Sequence, residues 1–319
     1  MELTTATAKQ LIDMKITKIP TLLEDLLPQT GLVVLSGPSE GGKSTFARQL
    51  AIEIVIGKDK FLGININAIF RRAIYVSTED DSNALSALLN AYNHSEEEKV
   101  KLENLRYIFD SENILEDIEK YLVKNPVDLV VVDIFTDLYS GDLNMTNKVR
   151  GFLNKFRKLS LKYKCLILCI HHPNKRSDSE APNKNNLLGS QGIEAKARLV
   201  LDLRKESANP NYRRLYITKG NYISDERKKF GLRLRMNDNQ IYDVVDNEIP
   251  IRNSSASMID NINKQNKKIE RVHELNAEEK PVREIVSIMK DEGFDISVGS
   301  VQNYKQMECS TVQAPIKSD

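Results

Sequence analysis

Gly37-Pro38-Ser39-Glu40-Gly41-Gly42-Lys43-Ser44 carries the spacing G-x-x-x-x-G-K-S. The apolar run Gly31 to Ser36 ahead of it suits a buried strand, and Thr45 to Ala51 after it opens a helical pattern. A strand, a glycine-rich turn and a helix in that order make a phosphate-binding loop. Glycines let backbone N–H groups turn inward around phosphate oxygens, and the helix N-terminus adds partial positive charge. Gly37, Pro38, Ser39, Glu40, Gly41, Gly42, Lys43, Ser44 and Thr45 are therefore the expected cradle of a nucleoside triphosphate, taken to be ATP. Lys43 is placed to reach the β and γ phosphates, and the Ser44 hydroxyl to ligate Mg²⁺.

The chain of 319 residues allows one large domain and a small one. Apolar residues make up 40% and charged residues 29%, a balance that supports a sizeable core in a soluble protein. The net charge of +1 excludes a global basic field, so any nucleic-acid contact must come from local patches. Apolar runs such as Leu129 to Val132 and Cys165 to Ile170 are too short to span a membrane. The first residues show no basic region followed by an apolar one, so no signal peptide is read. Of three cysteines, Cys165 and Cys169 fall in one apolar run and share a strand face, which reads as buried core rather than a metal site. This usage fits a reducing, cytoplasmic setting.

Outward from the loop, strands and helices alternate, the pattern of a mostly parallel sheet covered by helices on both faces. Strands are expected near 31–36, 72–77, 128–133, 165–170, 197–203 and 213–219, and helices near 43–57, 81–93, 113–124 and 145–162. A closing antiparallel hairpin is expected from Phe230 to Met236 and Gln240 to Val245. The predicted organisation is a lead-in over 1–28, an α/β domain over 29–250, a linker and polar helix over 251–277, a helical module over 278–307 and a tail over 308–319. Long loops at Thr136 to Thr146 and Asn174 to Asn186 leave the carboxyl ends of strands, the side where open α/β sheets bind ligands.

Three further positions complete the chemistry. Leu129-Val130-Val131-Val132-Asp133 is a buried strand ending in a carboxylate, so Asp133 is the second expected Mg²⁺ partner. The strand Ala73 to Ser77 delivers Thr78-Glu79-Asp80-Asp81 to the same sheet edge; Glu79 is the general-base candidate, while Asp80 and Asp81 suit the start of the next helix. The strand ending at Ile170 presents His171-His172, whose polar groups are placed to sense a γ-phosphate; adjacent histidines point to opposite strand faces, which argues against a paired metal site.

Together these stretches, with Cys169-Ile170-His171-His172-Pro173-Asn174-Lys175 and Leu215-Tyr216-Ile217-Thr218-Lys219-Gly220-Asn221-Tyr222, resemble the RecA-like P-loop ATPases. The likeness is to the RepA-type branch of hexameric replicative helicases and its AAA-type relatives on plasmids, phages and mobile elements, and covers about residues 18–245. The resemblance implies an ATP- and Mg²⁺-dependent hydrolase with Glu79 as catalytic glutamate and His172 as sensor. It implies a homo-oligomer, a hexameric ring in that branch, with ATP between subunits and positive charge supplied by the neighbour. Lys219 falls at the lysine of the K-x-R or K-x-N element that crosses the interface. Asn221 stands where the finger arginine would be, so Arg198 is the other finger candidate.

In the C-terminal module, Pro281 to Lys290 reads as a helix with Val282, Ile285, Val286 and Met289 on one face, stopped by Gly293. Ser297 caps a second helix with Val298, Val301 and Tyr304 inward and Ser300, Gln302, Asn303 and Lys305 outward. This pair resembles a helix-turn-helix that reads duplex DNA, although residues 251–319 hold ten Lys and Arg against eleven Asp and Glu. Single-stranded DNA is expected at the core loops, through Lys175, Arg176 and Lys184, and no membrane partner is expected. The leading functional reading is a DNA helicase or helicase-like motor in replication or maintenance of a plasmid, phage or mobile element. Its rivals are an ATP-gated DNA-binding or assembly factor with slow turnover, and a signalling ATPase indifferent to DNA.

Overall fold

The computed structural model describes residues 5–109, 112–139, 141–142, 145–172, 190–206, 209–250, 268–294 and 296–306. The chain divides into two units, Met1–Asn253 and Ser254–Asp319. The first runs through α1 (Ala8–Asp13), β1 (Thr21–Leu23), β2 (Leu27–Pro28), β3 (Gly31–Ser36), α2 (Lys43–Ile56), β4 (Lys60–Phe61), β5 (Ile64–Asn65), β6 (Ala73–Ser77), α3 (Ser82–Asn90), α4 (Glu96–Lys101) and β7 (Leu105–Phe109). It continues through α5 (Ile114–Lys124), β8 (Leu129–Asp133), α6 (Thr146–Tyr163), β9 (Leu166–His171), α7 (Ser190–Lys196), β10 (Leu199–Lys205), β11 (Tyr212–Gly220), α8 (Asp225–Lys228), β12 (Phe230–Met236) and β13 (Tyr242–Pro250).

Among the described residues the central sheet has nine strands in the order β13-β12-β11-β10-β3-β9-β8-β6-β7. From β10 to β7 every pairing is parallel, while β10 to β13 close the sheet as antiparallel neighbours. The apolar runs read in the sequence are buried on both faces, as parallel strands under two helix layers require. In β3, Val33 and Leu35 join the core beneath α2, and Leu32 and Val34 join the one beneath α5 and α6. The alternation repeats in β8 and β9. Cys165 and Cys169 both lie free and buried on the α6 side, where burial pushes the Cys165 thiol up to about 12 and the Cys169 thiol higher still.

Two features depart from the sequence expectations. The lead-in is not outside the core: Leu22, Leu23, Leu26 and Leu27 of the β1–β2 hairpin are buried in the α2-side cluster. Strand β7 extends the parallel sheet by one at its edge, with Leu105 buried and Phe109 41% exposed. Its half-exposed Leu-Arg-Tyr-Ile-Phe pattern lacks the continuous apolar run that marks the interior strands. The 136–146 loop is described in part, and the 174–186 loop, with Lys175, Arg176 and Lys184, lies outside the described residues. No helix of the described residues is long and apolar enough to cross a membrane.

The second unit contains a helix over 268–277 (α9), then α10 (Val282–Asp291) and α11 (Val298–Gln306). Val272, Leu275, Ile285, Met289, Ile296 and Val301 form its core, so α9 is a packed member and not only a polar connector. Gly293 leaves α10 with φ 85°, and Ser297 accepts from the Ser300 amide at 3.1 Å to cap α11. Val298, expected inward, is 44% exposed because it sits in the first turn, ahead of the buried Val301. Gln302 is exposed and Lys305 half-buried; the Asn303 side chain lies outside the described ones.

Candidate functional site

The phosphate loop leaves the carboxyl end of β3 between β9 and β10. Gly37 has φ 150°, and a Cβ there would strike the Leu203 carbonyl oxygen. Gly42 has φ 87°, and a Cβ there would strike the Tyr242 hydroxyl. Only glycine meets both demands, of backbone angle and of space. Gly42 gives α2 no side-chain cap, so the amides of the first turn stay available to an anion. Ser39 and Glu40 are exposed, whereas Gly41, Lys43 and Thr45 are buried and Pro38, Gly42 and Ser44 half-buried.

The Lys43 ammonium donates to the Gly37 and Pro38 carbonyls at 2.8 and 2.7 Å. It also lies 3.2 Å from His172 Nδ1. An ammonium has no acceptor, so Nδ1 takes the hydrogen bond and the ring proton sits on Nε2. Nε2 faces Glu79 Oε1 at 4.0 Å, and Ser39 Oγ lies 3.4 Å from Nδ1. His172 thus bridges the loop lysine and the candidate base. Burial raises the Glu79 pKa, the Asp137 and Asp80 charges raise it further, and Lys43 opposes them. A half-exposed carboxylate with a raised pKa suits proton acceptance.

Asp133 is 5% exposed at the end of β8. Tyr75 donates to its Oδ2 at 2.5 Å, and the same hydroxyl lies 3.4 Å from the Ser44 carbonyl. Oδ1 is buried without a hydrogen-bond partner. Burial raises the carboxyl pKa against the opposing pull of Tyr75 and Ser44. An orphaned carboxylate oxygen beside a serine hydroxyl is an oxygen-donor set that fits Mg²⁺, which takes few protein ligands and completes its shell with water and phosphate. Among the described residues no group of three or more His, Cys, Asp and Glu is assembled to hold a metal by protein alone.

The two finger candidates lie elsewhere. Leu199 pairs with Val33 and Asp202 with Ser36, so Arg198 and the loop are at opposite ends of the parallel strands, roughly 15 Å apart along β3 at the usual strand rise. Arg198 packs its stem on Gly31 and its guanidinium over the Tyr222 ring at 5.6 Å. Lys219 pairs with Val200 in register and donates to the Ala197 carbonyl at 2.9 Å, at that same far edge. Neither joins Lys43, Ser44, Glu79, Asp133 and His172 in this chain. A cavity of about 550 Å³ lined by Lys18, Glu24, Arg198 and Tyr222 also belongs to that far edge.

Several residues of the site carry no signal in the sequence. Thr78 bonds Asp137 Oδ2 at 3.0 Å and the Asp133 carbonyl at 3.2 Å, tying the Glu79 loop to β8. Asp81 accepts from the Asn83 and Ala84 amides at 2.9 and 2.8 Å and so caps α3, as read. Arg213 and Tyr242 reach the loop from the antiparallel strands, bonding the Gly41 and Gly42 carbonyls at 2.8 and 3.3 Å. Of these only Tyr75 leaves a trace, as the one hydroxyl-bearing ring inside the buried run Ala73-Ile74-Tyr75-Val76.

The profile of the family described as AAA domain matches residues 1–178. No curated protein matches the sequence. The solved structure of a helicase ATPase domain superposes with a TM-score of 0.56 at 14% identity, covering 75% of this chain and 96% of that one. At that identity the likeness is one of fold, and the fold is the RecA-like P-loop α/β core.

Proposed function

The chain belongs to the AAA domain family, and from that premise we propose that it is an Mg²⁺-dependent ATP hydrolase acting on DNA as an oligomeric, helicase-like motor of a plasmid, phage or mobile element. The observation that carries the reading is the meeting of Lys43 and Glu79 across His172 at the glycine loop. Lys43 exchanges its loop carbonyls for phosphate oxygens. Glu79 takes the proton of a water whose oxygen bonds the γ phosphorus as the bond to the bridging oxygen breaks. His172 couples the two through one ring. Mg²⁺, held by Ser44 and Asp133, supplies charge neutralisation for the phosphates.

Lys219 and Arg198, remote from their own loop, suit a role at a neighbouring subunit's nucleotide, which supports a homo-oligomer, a ring in the leading form. The α10–α11 pair, with Ser297 as cap and Gln302 exposed, supports a duplex-reading helix-turn-helix. Asn221 at the finger position favours a second reading, an ATP-gated DNA-binding or assembly factor with slow turnover. ATPase rate and mass in solution, measured with and without single-stranded DNA, separate the two. Strong stimulation supports the motor, slow turnover with ATP-dependent assembly supports the switch, and indifference to DNA refutes both.

A further inference from the structure

Arg213 opens β11 and turns its side chain to the buried face beneath the phosphate loop, leaving 4% exposed. Its Nε donates to the Gly41 carbonyl at 2.8 Å, and Nη1 to the Pro210 and Tyr212 carbonyls at 2.6 and 3.1 Å. The Tyr242 hydroxyl is a further partner. All of these acceptors are neutral, and among the described residues no carboxylate pairs with this guanidinium. Its neighbours on the same strands behave differently. Arg204 pairs with Asp202, and Arg214 and Arg233 share Glu206. Buried charges are costly unless an opposite charge offsets them. One buried cation left to neutral acceptors, against the back of a phosphate-binding loop, marks where the missing negative charge belongs.

The bonds also act through the peptides they touch. The Gly41 carbonyl belongs to the same peptide unit as the Gly42 N–H, and the Gly42 carbonyl to the same unit as the Lys43 N–H. A donor on the outer carbonyl polarises the unit and strengthens the inner N–H as a donor. Arg213 does this for the first unit and Tyr242 for the second, at 3.3 Å. Gln49 fixes Tyr242 in turn, accepting from its amide at 2.7 Å and donating to its carbonyl at 3.1 Å.

We propose that Arg213, seconded by Tyr242, is a positioning residue for a polyphosphate: a fixed cation behind the loop whose charge is completed by phosphates bound in front of it. The proposal rests on the nucleotide reading above and adds to it a contribution that grows with the number of phosphates.

The test is equilibrium binding of a non-hydrolysable ATP analogue and of ADP to the full chain and to R213Q, R213K and Y242F, with thermal unfolding of each ligand-free protein. R213Q is expected to weaken the triphosphate by about tenfold, the scale of a charge-assisted hydrogen bond, and ADP by less. R213K, which keeps the charge, should lose less than R213Q, and Y242F about threefold as one neutral bond is removed. Ligand-free R213Q should unfold no lower than R213K. Unchanged triphosphate binding by R213Q, equal losses for both nucleotides, or equal losses in R213K and R213Q would overturn the proposal while leaving the nucleotide reading standing. A parent chain that binds neither nucleotide would overturn both. Should R213Q fail to fold, Y242F decides, since equal losses for ATP analogue and ADP there would also count against it.

Discussion

Tyr75→Phe removes one buried hydroxyl and keeps the ring, which lies 5.3 Å from that of Tyr107. The hydroxyl lost is the donor to Asp133 Oδ2 at 2.5 Å, and Oδ1 already lacks a partner. The substitution therefore leaves a buried carboxylate with neither oxygen bonded to Tyr75. A hydrogen bond to a charged group contributes about 1.5–3 kcal/mol, and for a domain of this size each kcal/mol moves Tm by about 2–4 °C. Ligand-free Tyr75→Phe should thus unfold about 3–12 °C lower. The assay is thermal unfolding with chelator present, repeated in an Asp133→Asn background. A neutral acceptor forfeits less, so the loss there should shrink and the cycle should show a coupling of about 1 kcal/mol or more. Equal losses in both backgrounds would refute the assignment of Tyr75 to the Asp133 carboxylate.

Burial raises the Glu53 carboxyl from 4.5 to about 6, against its bond from Gln49. A raised folded-state pKa contributes stability that is complete below the unfolded pKa and lost as pH rises through the folded one. Glu53→Gln does not titrate, so its Tm should gain on the parent between about pH 4.5 and 6, by about 2 kcal/mol in all, and hold that lead above; a constant gap across this range would contradict the burial argument. If Lys219 serves a neighbour's site, Lys219→Ala subunits mixed with Glu79→Gln subunits should recover activity, because some shared sites carry neither lesion; no recovery under subunit exchange would place the site within one chain. A chain ending at residue 250 should keep basal ATPase activity and lose duplex selectivity, with about 1–3 kcal/mol at stake per base contact; retained selectivity on a duplex panel would make the second unit a protein-docking module.

The loop, its strand and its helix were legible because their chemistry is local: Gly37, Gly42, Lys43 and Ser44 are spaced by the turn they make. Asp133 and Glu79 were legible because each ends a buried apolar run, and parallel pairing of β6 with β8 brings those ends together. Spacing along the chain says nothing of contacts such as Arg213 with Gly41, 172 residues apart, or Tyr242 with Gly42, 200 apart. The β1–β2 leucines looked like a lead-in because the hairpin is too short to show periodicity, although all four are buried. Strand β7 hid for another reason: at the sheet edge only one residue in its run, Leu105, is fully buried. The far-edge position of Lys219 and Arg198 follows from strand register alone, which no motif encodes.

The central claim is that Glu79 accepts the proton of the attacking water while the glycine loop, Lys43 and Ser44 hold the nucleotide without it. Glu79→Gln separates the two, since it keeps the size of the side chain and removes its basicity. Single-turnover hydrolysis and nucleotide affinity, measured on the same preparation with Mg²⁺, give the answer. The account predicts affinity close to that of the parent and hydrolysis slower by about 10²–10⁴; hydrolysis at near the parent rate would contradict it.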